Sequence, residues 1–399
     1  MVNFILHFRL NKLNTHINAK RENTLIINSR NDYIECEVYC DYKDEPLILS
    51  GKITGCDASL TFYEHRIELR CDGKLLDEEW PAGNILFTPN DVLQTDLPAY
   101  IEFFTESDAE EVPVITDVFT NAEGWRPDEN VFVGDCMPYT DNERYHVLYL
   151  KDRHHHKSKW GLGAHQWEHI STDDFVNWSI HPMAVPITDK NEASICTGSH
   201  IKKDAVHHLY YTVRTCDSSP APICRSLSHN GYHFYKDQNF SFALSDKYDS
   251  VTARDPKVIW GKDGLYHMLL TTRLMAEDKG CLAHLVSKDL ETWTEKEVPE
   301  HICDDNIEPE CPDYIEYNDF YYLIYSLNGK AYYKYSREPF GNWITPKNPE
   351  VPCSSVPKGA VWQGKIVFTG FKRIDGYAGT MTFKSATNSK SGELIFEQI

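Results

Sequence analysis

Between residue 120 and residue 399 the chain repeats one pattern five times. A polar turn leads into an aromatic or aliphatic run in "TDNERYHVLYL" (140–150), "KKDAVHHLYYTVR" (202–214), "GKDGLYHMLLTTR" (261–273), "EYNDFYYLIYS" (316–326) and "WQGKIVFTGFKR" (362–373). A second run follows each: "HISTDDFVNW" (169–178), the looser "CRSLSHNGYHFY" (224–235), "HLVSKDLETW" (284–293), "YKYSREPFGNW" (334–343) and "TFKSATNSKSGELIF" (382–396). Three of these close on Trp178, Trp293 and Trp343. Short aromatic and β-branched runs bounded by polar turns favour strands over helices. A unit of roughly 45–60 residues holds about four short strands, and five such units point to a five-bladed β-propeller. A β-sandwich with coincidental patterning leaves the recurrent turns and tryptophans unexplained.

The first 115 or so residues do not share the repeat. They read as strands with polar turns, "TLIINS", "YIECEVYC", "PLILSGKI" and "SLTFYEHRIELRCDGKLL", with "CDGK" (71–74) as a hairpin turn. The expected organisation is all-β: a β-sandwich-like domain over 1–118 and a propeller over 119–399. Of the 399 residues 41% are hydrophobic, enough for two sizeable cores.

The formal net charge of −20 repels a polyanion and excludes nucleic acid as partner. It suits a neutral or cationic small substrate. The twelve cysteines are irregularly spaced, and Cys36/Cys40 lacks a second half with zinc spacing. They are expected to be small packed residues. The apolar run in "MVNFILHFRLNK" is too short for a signal-peptide core, and there is no apolar stretch of membrane-spanning length. The chain is expected to be cytoplasmic, with reduced thiols, no membrane contact, no cofactor and no metal. Its oligomeric state is not legible.

Upstream of each polar turn lies the segment expected to form the innermost strand of a blade. Blade one offers Asp135 in "FVGDCMPY", blade three Asp255 in "ARDPKVIW" and blade four Glu310 in "EPECPDYI". Blade two offers Gly198–Ser199 and blade five Lys358–Gly359. Innermost strands line one central funnel, so three carboxylates distant in sequence are expected to converge from equivalent positions. Two converging carboxylates can cleave a glycosidic bond, and crowding raises the pKa of one. Calcium is the competing use of clustered oxygens, but no EF-hand-like run is present.

These segments resemble glycoside hydrolase family 32, the β-fructosidases. "RDP" (254–256) and "ECPD" (310–313) match the family's second and third motifs, and "GDCMPY" (134–139) stands where the family has Asn-Asp-Pro-Asn-Gly. "WEHISTDDFVNW" (167–178) and "TGSH" (197–200) resemble linking stretches. The first motif lacks both asparagines and the Tyr-Gln strand end is replaced by "LYLKDRHHHKSKW"; the family's C-terminal sandwich is not expected here. The resemblance implies a five-bladed propeller and a retaining mechanism through a covalent fructosyl intermediate. It implies Asp135 as nucleophile, Asp255 as transition-state stabiliser and Glu310 as acid/base. Arg254 is implied as the charge partner that keeps Asp255 ionised, and Ser199 falls in the matched Ser-Gly-Ser segment.

Glu308 is the rival of Glu310, two residues away on the same face. The loop "KDRHHHKSKWGLGAHQW" (151–167) is expected to fold over the funnel mouth. His155, Trp160, His165, Gln166 and Trp167 are its candidate sugar contacts, because aromatics stack on sugar faces and His and Gln bond hydroxyls. The expected function is a retaining glycoside hydrolase acting on sucrose or short fructo-oligosaccharides. An inverting arabinan- or xylan-type propeller enzyme and a catalytically inactive sugar-binding propeller are the alternatives.

Overall fold

The computed structural model describes residues 3–10, 16–18, 24–92, 99–105 and 113–399. Two compact units emerge. The first comprises 1–111 with two segments from the middle of the chain, 156–164 and 188–193; the second comprises 112–155, 165–187 and 194–399.

The first unit is a β-sandwich. One sheet holds Phe4–Arg9, Asp57–Phe62, Ile67–Cys71, Lys74–Glu79 and Ala99–Phe103; the other holds His16–Asn18, Leu25–Arg30, Tyr33–Cys40 and Lys43–Lys52. Alternating residues of both sheets, such as Phe4, Leu6, Leu60, Ile27, Ile34 and Val38, share one core. The hairpin at Cys71–Lys74 forms as the sequence predicts. Asp72 (φ 46°) and Gly73 (φ 79°) take the left-handed conformations that a two-residue turn requires.

The second unit is a five-bladed propeller. Its inner strands are Val131–Asp141, Glu192–Lys203 from Ser194 onward, Arg254–Trp260, Glu310–Tyr317 and Ser355–Trp362. The aromatic runs form the second strands, Arg144–Arg153, Val206–Thr215, Tyr266–Leu274, Phe320–Leu327 and Lys365–Arg373, each antiparallel to its inner strand. The recurrent hydroxyl-x-acid pattern proves to be a turn. Thr172, Ser228 and Ser287 each accept two backbone N–H groups, and Asp174, Asn230 and Asp289 accept the next two.

Hydrogen bonds and ion pairs between neighbouring blades close the ring. Gly198 N–H donates to Met137 Sδ at 3.2 Å, joining blades one and two. Ser199 Oγ donates to the Pro256 carbonyl at 2.8 Å and accepts from Val258 N–H at 2.9 Å, joining two and three. Lys257 pairs with Asp313 at 2.5 Å, and Gly359 N–H donates to the same carboxylate at 2.7 Å. Thr140 Oγ1 donates to the Val361 carbonyl at 2.9 Å, returning from blade five to blade one.

Between blades one and two lies a buried histidine cluster. His146 Nδ1 meets His169 Nε2 at 3.0 Å, and His200 Nε2 meets His207 Nδ1 at 2.9 Å. His181 is held by Ser171 and the Val114 carbonyl. Burial pushes His146 down to about 3 and His181 to about 4, and it also lowers His169, His200 and His207. Groups whose folded pKa lies below the unfolded value of about 6.5 stabilise the fold fully above that pH. The stability is lost as pH falls from there through 4. Unfolding by urea at pH 4 is therefore expected to cost less than at pH 7, by about 3 kcal/mol for His181 alone. A flat profile between pH 7 and 4 would show that the cluster takes up its protons in the fold at the same pH as in the unfolded chain.

Candidate active site

In blades one, three, four and five the inner strand carries a β-bulge at the same place. The register shifts lie between Val133 and Cys136, Arg254 and Lys257, Glu310 and Asp313, and Ser355 and Lys358. Each time three steps on the inner strand face two on its partner. Aligning the bulges puts Glu310 level with Arg254, Asp255 level with Cys311, and Asp135 level with Pro256 and Pro312. The three acids thus occupy three successive steps, which corrects the expectation of equivalent positions. In blade five the level of Asp255 belongs to Val356, and Lys358 lies two steps further along. A bulge turns successive side chains away from simple alternation, so acids at different steps can still meet.

The bulges are held in unusual backbone. Asp255 (φ 60°), Cys311 (φ 50°) and Val356 (φ 39°) all lie in the left-handed region, where a β-branched side chain is strained. The following residue is proline in all three blades, which suits a step that gives no hydrogen bond to the ladder.

Cys311 bridges the two aspartates. Its thiol donates to Asp135 Oδ2 at 3.2 Å, and its backbone N–H donates to Asp255 Oδ2 at 2.9 Å. Asp135 also accepts Thr197 Oγ1 at 2.6 Å and the Tyr377 hydroxyl at 2.9 Å. Arg254 links the other acids: its Nη2 donates to Glu310 at 3.1 Å, its Nη1 to Glu308, and its Nε lies 3.8 Å from Asp255. Burial is the main influence on Asp255. It pushes that carboxyl up to about 6, with Asp135 and Glu310 adding to the rise and Arg254 opposing it. Burial outweighs the guanidinium in setting the direction of the shift, while Arg254 acts to favour the ionised carboxylate.

Glu308 and Glu310 differ in what they have left to offer. Glu308 spends both oxygens, one on Thr252 Oγ1 at 2.8 Å and the other on Arg254. Glu310 takes a single donor from Arg254, and its side chain is 39% exposed.

The loop candidates are placed elsewhere. Ser199 is buried and ties two inner strands, as described above. Gln166 is buried, with Oε1 accepting from Ile187 N–H at 2.9 Å. Trp167 is fully buried and donates Nε1–H to the Cys196 carbonyl at 3.0 Å. His165 is buried against Asp152 (2.9 Å), its ring 5.2 Å from that of Tyr377. Trp160 belongs to the first unit, where it packs against that core, 5.4 Å from the Tyr42 ring. His155 approaches the acids indirectly: its Nδ1 lies 2.9 Å from the carbonyl of Tyr377, whose hydroxyl holds Asp135. Residues 154–156 form a left-handed turn rather than an extended loop. Thr197 and Tyr377 were missed. Thr197 lies inside a matched segment and could have been found; nothing local marks Tyr377.

The sequence profile of the glycosyl hydrolases family 32 N-terminal domain matches residues 119–344, more than half of the chain and the span holding all three acids. The chain belongs to glycosyl hydrolase family 32. A sucrose-6-phosphate hydrolase of Escherichia coli is 28% identical over 236 residues, covering 56% of this chain and 46% of that protein. A raffinose invertase of Escherichia coli is 28% identical over 215 residues, covering 52% and 42%. The family 32 chain described here thus spans less than half the length of either. Fructan 1-exohydrolase IIa from Cichorium intybus superposes with a TM-score of 0.58 at 16% identity, over 70% of this chain and 60% of that one. That likeness speaks for the fold. Among the described residues no group of three or more His, Cys, Asp or Glu side chains is placed to hold a metal ion.

Proposed function

We propose that the chain hydrolyses β-fructofuranosides, sucrose or a short oligosaccharide carrying a terminal fructosyl unit, with retention of configuration. The observation that carries this reading is the bridging of Asp135 and Asp255 by Cys311, with Glu310 joined to them through Arg254. An oxygen of Asp135 attacks the anomeric carbon while Glu310 gives its proton to the departing glycosidic oxygen. Water then gives a proton to Glu310 and attacks the same carbon, which releases Asp135. Asp255 accepts sugar hydroxyls and faces the positive charge that builds on the ring. The names of the two curated relatives support sucrose, its 6-phosphate or raffinose as substrate. A cytoplasmic setting is supported by buried free thiols such as Cys36, Cys136, Cys311 and Cys353.

The test is turnover on a panel of sucrose, sucrose 6-phosphate, raffinose, an arabinofuranoside and a xyloside. Activity confined to the last two, or none on any, would overturn the reading. Within the panel, Glu310→Gln is expected to lose about 10²–10⁴-fold on sucrose and far less on a fructoside with an acidic leaving group, which needs little protonation. Glu308→Gln removes an ion pair only. If Glu308→Gln proves the damaging change and Glu310→Gln the mild one, the acid/base assignment is reversed.

A further inference from the structure

Tyr377 lies in the short turn that joins the second and third strands of blade five, Lys365–Arg373 and Gly379–Asn388. Ile374 N–H closes the turn on the Ala378 carbonyl at 3.0 Å, and Gly379 pairs with Val133 of the blade-one inner strand. Closure of the ring thus lays the turn beside Asp135. The Tyr377 hydroxyl donates to Asp135 Oδ1 at 2.9 Å and accepts the Asp135 backbone N–H at 3.3 Å. One hydroxyl set between the amide and the carboxylate of the same residue fixes that residue's rotamer. The phenol is itself held. Its ring lies 5.4 Å from that of Phe371 and 5.2 Å from that of His165, and its backbone carbonyl meets His155 Nδ1 at 2.9 Å. Burial, with the Asp135 charge beside it, pushes the pKa of the phenol well up, so it remains a donor. Gly134 makes the room. It stands where the family's first motif begins with asparagine, and a β-carbon there would lie 2.7 Å from the Tyr377 hydroxyl oxygen and 3.1 Å from Leu150 Cβ.

The two oxygens of Asp135 are held differently. Oδ2 accepts two donors, Thr197 Oγ1 at 2.6 Å and the Cys311 thiol at 3.2 Å. Among the described residues, Oδ1 accepts the Tyr377 hydroxyl alone. A carboxylate oxygen has two lone pairs in its plane, so Oδ2 is filled and Oδ1 keeps one. We propose that Tyr377 is a positioning residue of this site, whose hydroxyl sets the rotamer of Asp135 and leaves Oδ1 as the oxygen that attacks. The proposal rests on the fructosidase reading for its kinetic consequence. The bond from Oδ1 to the anomeric carbon forms as the bond from that carbon to the glycosidic oxygen breaks. The departing oxygen keeps the electron pair and takes the proton of Glu310. Oδ2 becomes the carbonyl oxygen of the ester, on the side of Thr197 and Cys311. The phenol keeps its own proton throughout.

Tyr377→Phe removes the hydroxyl and keeps the ring. It is expected to lower kcat by roughly 10²-fold with KM within about threefold of wild type, because attack loses its alignment while the other sugar contacts remain. The fall in kcat/KM should be the same on sucrose and on a fructoside with an acidic leaving group, which distinguishes it from Glu310→Gln. A hydroxyl that merely ties blade five to blade one would lower the melting temperature and leave kcat in place. Gly134→Ala reaches the same hydroxyl from the other side. It is expected to lower kcat comparably, and the double variant to lose little beyond either single change. A crystal structure of Tyr377→Phe reads the carboxylate without turnover, with Oδ1 expected out of its wild-type place. An unmoved carboxylate, a kcat within about threefold of wild type in folded Tyr377→Phe, or losses that multiply in the double variant would overturn the proposal. If Tyr377→Phe does not fold, Gly134→Ala decides: an unchanged kcat overturns the proposal, and a loss of roughly 10²-fold at unchanged KM supports it. Absence of turnover in the wild type would instead defeat the fructosidase reading, with the place of the Asp135 carboxylate in Tyr377→Phe still deciding the role of Tyr377.

Discussion

Asp135→Asn is expected to lower kcat on the best fructoside by on the order of 10⁴–10⁶-fold, with the melting temperature within a few degrees of wild type. An amide has nearly the shape of a carboxylate but cannot attack the anomeric carbon. The surroundings tolerate the exchange. Oδ2 accepts from Thr197 and Cys311, and an amide oxygen in that place keeps both bonds. Oδ1 accepts the Tyr377 hydroxyl, which can rotate its hydrogen away and accept from the new N–H₂. Binding of substrate should survive, because Asp255, Glu310 and Arg254 are untouched. The measurement is kcat and KM beside a melting curve. A residual kcat within tenfold of wild type, in a folded variant, would mean that Asp135 orients the sugar and another group attacks.

How far the site could be read from sequence depended on which signals are local. The propeller was legible because its signal recurs: five aromatic runs became five second strands, and the Ser/Thr-x-Asp/Asn turns repeat bond for bond. The acids were legible as a set, but their register was not. "RDPK", "ECPD" and "SVPK" align by their prolines, Pro256, Pro312 and Pro357, which mark the second step of each bulge. Aligning on residue charge instead puts Asp255 and Glu310 at one level, and misplaces Lys358. The loop 151–167 misled for a different reason. Polar side chains next to glycine read as solvated donors, yet Gln166 and His165 satisfy themselves inside the propeller with Ile187 and Asp152 and are buried. Trp160 and its neighbours pack with the first unit, a partition that no window of sequence displays. Tyr377 stands 242 positions from Asp135 in the chain, and only the closed ring brings its hydroxyl there.

Gly198→Ala is expected to destabilise the propeller by about 3 kcal/mol or more, although it adds one methyl group. A β-carbon at this position would lie 1.9 Å from the Tyr210 carbonyl oxygen and 2.9 Å from the Trp167 ring. Neither can step aside. The carbonyl belongs to the second strand of the same blade, and both side chains are fully buried and tethered, Tyr210 to the Leu290 carbonyl and Trp167 to the Cys196 carbonyl. The backbone of residue 198 must move instead, and its two polar groups are engaged with Met137 and Lys358. Gly264→Ala is the contrast. That glycine has a φ of +77° with no heavy atom within 4 Å of the added carbon, so the change costs only backbone strain of about 1 kcal/mol. Chemical denaturation of the two variants separates close packing from conformational preference; equal losses would show that the strands relax around residue 198. Activity should fall in Gly198→Ala beyond what stability explains. Thr197 precedes the glycine and donates to Asp135 at 2.6 Å, and a displacement of about 1 Å at a positioned reacting group costs on the order of 10²-fold in rate.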